Sequence, residues 1–60
     1  MKNIKDIRNV AAVSQVELAK RSGLARSTIV NYETGKCVPR VDDLEKIAKA
    51  LEVDICDFFQ

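Results

Sequence analysis

Apolar residues recur along most of this chain at spacings of three and four, with no credible strand, so the sequence predicts helices throughout. Ile4, Ile7 and Ala11 mark the buried stripe of a first helix from about Lys2 to Ala11. Leu18 and Ala19 serve a second helix, which Ser14 caps, with Glu17 three residues on to complete a capping box. Its last turn, Lys20–Arg21–Ser22, is basic and closes on Gly23, after which Leu24 packs the turn. A third helix runs from about Ala25 to Glu33 and stops at Thr34–Gly35. Pro39 stiffens the connection to a fourth, about Asp42 to Leu51, whose acidic start suits the helix dipole and which buries Leu44, Ile47, Ala48 and Leu51. A short fifth helix, capped by Asp54, holds Ile55, Phe58 and Phe59. The expectation is an all-α, compact five-helix domain.

The third helix has an uneven surface. At about 100° per residue and with Arg26 at zero, Tyr32, Ala25 and Ile29 fall at roughly 240°, 260° and 300°, with Glu33 on the border of that stripe near 340°. Arg26, Val30, Ser27 and Asn31 occupy roughly 0° to 140°, with Thr28 near 200°. The outward arc thus offers a guanidinium, hydroxyls and a carboxamide but no carboxylate, groups able to donate to base edges and phosphates. Two short helices joined by a glycine turn, the second with such a face, form a helix-turn-helix layout built from helices 2 and 3.

Charge strengthens this picture through its distribution rather than its sum. The net charge is only +1, yet residues 18–40 carry Lys20, Arg21, Arg26, Lys36 and Arg40 against Glu33, a local balance of +4. Residues 41–60 carry Lys46 and Lys49 against six carboxylates, a balance of −4. A basic face centred on the third helix and an acidic end orient approach to a polyanion while keeping non-specific affinity modest.

The stretch SQVELAKRSGLARSTIVNYETGK, continued by Pro39 and LEKIAKALEVDICDFF, resembles the lambda-repressor/Cro-like (XRE family, Cro/C1-type) helix-turn-helix proteins from about Ile4 to Phe59. Three features coincide: the SQxxLA opening, the IxxxExG close, and the LxxIAxAL helix after a proline. The resemblance implies a small transcriptional regulator of bacterial or phage type, a repressor by expectation, that binds double-stranded operator DNA with the third helix in the major groove. Arg26 is placed for guanine O6 and N7, Asn31 for adenine N6 and N7, and Val30 for a thymine methyl. By the resemblance, Ser27 and Thr28 contact bases or the neighbouring backbone. Gln15, at the amino end of helix 2, suits a phosphate, with Thr34, Lys36 and Arg40 as phosphate contacts on the other side. Arg8 and Glu33 match a partly buried salt bridge of the phage repressors.

The chain departs from the family where it places Ala12 and Glu52, positions usually held by glycine. If the Glu52 backbone is left-handed, a side chain there costs roughly 1 kcal/mol. Arg40 stands where a capping Ser or Thr is usual.

Other chemistries find little support. Without a histidine, general acid–base work falls to carboxylates, Cys or Lys, and adjacent Asp42 and Asp43 diverge on a helix; no enzyme is expected. Cys37 and Cys56 alone cannot fill a zinc site, so no metal or cofactor is expected. They read as reduced thiols, Cys37 in a loop and Cys56 half-buried, with a disulfide or an intersubunit contact as alternatives. Residues 1–60 are expected to form one domain, cytoplasmic, with no secretion h-region, no membrane span and no separate sensing domain. A homodimer is expected through the carboxyl-terminal end, where Ile55 and Phe58 close the core and Phe59 is left outside, with Val53 beside it. The competing possibility is a helix-turn-helix interaction module, such as an antitoxin or adaptor. That role favours acidic or apolar residues at positions 26, 27 and 31, where this chain has Arg, Ser and Asn.

Overall fold

The computed structural model describes residues 3–59, the last by its backbone alone. Among these, four α-helices and no strand occur: α1 (Ile4–Val10), α2 (Gln15–Ser22), α3 (Arg26–Glu33) and α4 (Val41–Leu51). The expected fifth helix is instead a 3₁₀ segment, Ile55–Phe59. Asp54 opens it by accepting from the Cys56 N–H, and this short-range turn leaves no length for an α-helical repeat.

Local chemistry accounts for the helix ends. Asn3 caps α1 by accepting from the Asp6 N–H at 2.8 Å. Ser14 caps α2 by accepting from the Glu17 N–H at 3.1 Å. The capping box is only half formed, because the Glu17 carboxylate bonds to Arg21 one turn on rather than reaching back. Gly23, at φ +76°, closes α2 in the left-handed conformation. Neither Ala25 nor Arg40 caps its helix through a side chain. Ala12 and Glu52, where the family favours glycine, have φ of +59° and +57°. Both sit in the left-handed region at the ends of α1 and α4, where a Cβ is crowded.

Leu18, Ile29 and Ile47 have no exposed surface and form the centre of the core, one residue from each of α2, α3 and α4. Each stabilises the fold by about 1.5–3 kcal/mol through burial. Ile4 and Ile7 of α1, Leu44, Ala48 and Leu51 of α4, and Phe58 complete it. Val13 also enters the core, a position the helical period does not reach because it lies in the turn after α1. Helix α2 packs on both α3 and α4, α1 on α3, and the 3₁₀ segment on α4.

Three expected placements are corrected. Ala11 and Ala25 are exposed, since each lies at a helix boundary where the chain leaves the path of the stripe. Arg8 takes the buried place beside Ile7 on α1 instead. Cys56 is exposed, as is Cys37, and both thiols are free. Val53 and Ile55 pack half-buried against the core. The expectation for Phe59 concerns a side chain outside the described residues. Among the described residues, no helix is long and apolar enough to cross a membrane.

Candidate nucleic-acid interface

Helix α2 packs on α3, and its first residue, Gln15, bonds to side chains from both ends of α3, Glu33 and Arg26. There a chain of polar contacts runs from the interior to the surface. Arg8 donates to both carboxylate oxygens of Glu33, Nε to Oε2 at 2.8 Å and Nη2 to Oε1 at 3.1 Å. Its Nη1 donates to the Val13 carbonyl at 2.8 Å, tying the turn after α1 into the same cluster. The pair is well sequestered, with side-chain exposures of 11% for Arg8 and 3% for Glu33. Gln15 Nε2 donates to Glu33 Oε1 at 3.1 Å, and Gln15 Oε1 accepts from Arg26 Nη2 at 3.5 Å. An exposed guanidinium on α3 is thereby linked to a buried ion pair through one carboxamide.

Burial alone would push the Glu33 carboxyl upward. The hydrogen bonds from Arg8 and Gln15 and the nearby charges of Arg8 and Lys5 outweigh it and hold the carboxyl below its ordinary value. The one acidic residue of α3 therefore stays ionised, turned inward and matched by a cation. What α3 turns outward is free of carboxylate: Arg26 and Ser27 are exposed, and Thr28, Val30 and Asn31 are half-buried. The Asn31 carbonyl accepts from the Lys36 and Cys37 N–H groups, at 2.9 and 3.3 Å, which folds the loop after α3 back onto its end.

The flanking residues differ in availability. Lys36 and Arg40 are exposed and have no acidic partner among the described residues. Thr34 is exposed, but its hydroxyl donates to the Val30 carbonyl at 2.9 Å, so a phosphate reaches it only if that hydroxyl turns. Gln15 is half-buried and already bonded at both ends of its amide; its second N–H remains to point outward. Arg21 is drawn to Glu17 at 3.1 Å in an exposed pair along α2.

Two positioning contacts were not visible in the spacing. One is the double role of Gln15, which depends on how α2 crosses α3. The other is a hydrogen bond from the Tyr32 hydroxyl to the Asp43 carboxylate, which fastens the carboxyl half of α3 to the first turn of α4. This bond, with burial and the Asp43 charge, raises the Tyr32 pKa above its ordinary 10.0. The signal that points to it is an aromatic hydroxyl on the buried stripe, which needs a partner there.

A family profile described as helix-turn-helix matches residues 4–58. The chain belongs to the XRE-type helix-turn-helix family. It is 43% identical over 56 residues to an uncharacterized HTH-type transcriptional regulator of Archaeoglobus fulgidus, covering 93% of this chain and 79% of that protein. It is 42% identical over 60 residues to another so described in Methanocaldococcus jannaschii, covering 98% of this chain and 91% of that one. A second Archaeoglobus fulgidus regulator is 39% identical over 56 residues, with 93% and 80% covered. These relatives are archaeal, which extends the likeness beyond bacteria and phage. In this helix-turn-helix chain, α2 is the supporting helix and α3 the one whose outward face carries the polar side chains.

Proposed function

We propose that this chain is a sequence-specific, double-stranded-DNA-binding transcriptional regulator, acting as a repressor at an operator in the cytoplasm without a cofactor. The observation that carries this reading is the outward face of α3, polar, cationic and free of carboxylate, its one glutamate turned inward onto Arg8. With α3 in the major groove, Arg26 reads guanine, Asn31 adenine and Val30 a thymine methyl, while Ser27 and Thr28 contact bases or the adjoining backbone. Gln15, Lys36 and Arg40, with Thr34 once its hydroxyl turns, hold the phosphates on either side. The Gln15 carboxamide lies 3.5 Å from the Arg26 guanidinium, a weak contact that favours one direction for that side chain and so lowers the entropy lost when it reaches a base. One such module reads half a site, and two copies bound side by side read a two-fold operator. The names of the archaeal relatives agree with a regulatory role.

Selection of bound duplexes from a random pool supplies the preferred site, and a repeated half-site in the recovered sequences is the expected result. Arg26→Ala is then compared on the preferred and on random DNA by band shift. A loss of about 1–3 kcal/mol on the preferred site, with little change on random DNA, is expected. Equal losses on both reduce Arg26 to a phosphate contact, and an unenriched pool overturns sequence specificity.

A further inference from the structure

A groove of about 420 Å³ lies between α1 and the chain that follows α4. Ile7, Val10, Ala11 and Val53 line it, and Asp6 and Asp57 also line it. No residue of α2 or α3 contributes, so DNA held on α3 leaves it uncovered. Val10 on its wall is 89% exposed, a large apolar side chain left in water on a helix that buries its other face. With Ile7, Ala11 and Val53 it lines one apolar groove, the kind of surface on which the apolar face of a partner can dock.

The charges say what kind of partner fits. Among the described residues, no lysine or arginine lines the groove, and neither Asp6 nor Asp57 has a salt-bridge partner. The neighbouring Lys5 acts on Glu33, on the side of α1 that faces α3. A second copy docked here about a two-fold axis would bring four carboxylates together, which disfavours self-pairing at this face. We propose that this groove docks an amphipathic segment of another protein, its apolar face on Val10 and Val53 and its lysines or arginines toward Asp6 and Asp57. Such a partner is held by the regulator on the side away from the recognition helix, and its binding does not require the DNA-binding function proposed above.

The test uses the full chain, labelled with ¹⁵N, and two synthetic helical peptides with leucines along one face, flanked by lysines in one and by glutamates in the other. The lysine peptide is expected to shift the amides of Ile7, Val10, Ala11 and Val53 saturably, and the glutamate peptide to bind far more weakly. Asp6→Asn with Asp57→Asn should weaken the lysine peptide about fivefold, the effect of two exposed ion pairs. Val10→Ser, at an exposed position, should weaken it too while the thermal melt and the DNA band shift stay those of the parent. Equal binding of both peptides, shifts centred on the acidic residues of α4, or no saturable binding would each overturn the proposal. So would a dimer in sedimentation that Val10→Ser abolishes, since the groove would then serve self-association.

Discussion

Replacing Glu33 by Gln changes one oxygen to an amino group inside a cluster made entirely of donors. Glu33 Oε2 accepts from Arg8 Nε, and Oε1 accepts from both Arg8 Nη2 and Gln15 Nε2. A carboxamide in this place must turn its NH₂ toward at least one of them, and the Arg8 charge loses its counterion. Removing one partner of a buried pair costs about 3–5 kcal/mol. The lower end applies here, about 3 kcal/mol, because the 11% exposure of Arg8 and its bond to the Val13 carbonyl leave the guanidinium partly satisfied. A 60-residue domain has a total stability of about 3–9 kcal/mol, so the variant retains little of it. Its thermal midpoint, followed by circular dichroism, should fall by about 12–24 °C. Replacing both partners by apolar residues, Arg8→Met with Glu33→Leu, should recover much of that loss, since no charge is then left stranded.

The same pair has a pH signature with a definite sign. The Glu33 carboxyl is held below its ordinary 4.5 in the folded chain. Its contribution is therefore complete above the ordinary glutamate range, shrinks as the pH falls below it, and is gone once the pH has passed the depressed folded value. The parent should lose stability in this acid window more steeply than Glu33→Gln does, and the two melting curves should converge there. A variant that melts within about 4 °C of the parent at neutral pH, less than 1 kcal/mol, would refute the assignment of Arg8–Glu33 as a principal support of α3.

Lys36→Ala should weaken binding to all DNA sequences alike and lower the salt slope by about one unit, measured by fluorescence anisotropy across a salt series; an unchanged slope removes Lys36 from the phosphate contacts. Glu52→Gly and Ala12→Gly, at φ +57° and +59°, should each stabilise by up to about 1 kcal/mol, because glycine reaches the left-handed region without a Cβ clash. Guanidinium midpoints below the parent's for both would show that the greater unfolded-state entropy of glycine outweighs the relief of strain.

The fold was legible wherever one local rule decides. Helical spacing located the buried residues of α4 and the central Leu18 and Ile29, because a periodic stripe on a helix has only one way to face the core. Ser14, Gly23 and Asp54 act at the ends where their side-chain or backbone chemistry is useful. The same rule fails within a residue of a helix boundary. Ala11 and Ala25 lie where the chain departs from the helical path, and Val13 reaches the core from a turn. The fifth element shows another limit: Ile55 and Phe58 mark burial, but burial spacing over five residues does not separate an α turn from a 3₁₀ one.

The candidate interface divides along the same line. Which residues α3 turns outward follows from its wheel, and so from sequence. What holds them there does not, because the Gln15 amide spans two helices and meets Glu33 and Arg26 only at the angle their packing sets. That geometry bears on function in a way the separate residues do not. Glu33 near a phosphate backbone is a liability as a free carboxylate, yet here Arg8 neutralises it and Gln15 relays its hydrogen bonding outward to Arg26. The same contacts that support the end of α3 thus also orient the cation at its start. A change at Glu33 should accordingly be felt in stability and in the set of Arg26, whereas a change at Arg26, exposed at the surface, should leave the fold intact. Loss of the interior pair thus disturbs both the fold and the exposed guanidinium, whereas loss of that guanidinium leaves the interior pair in place.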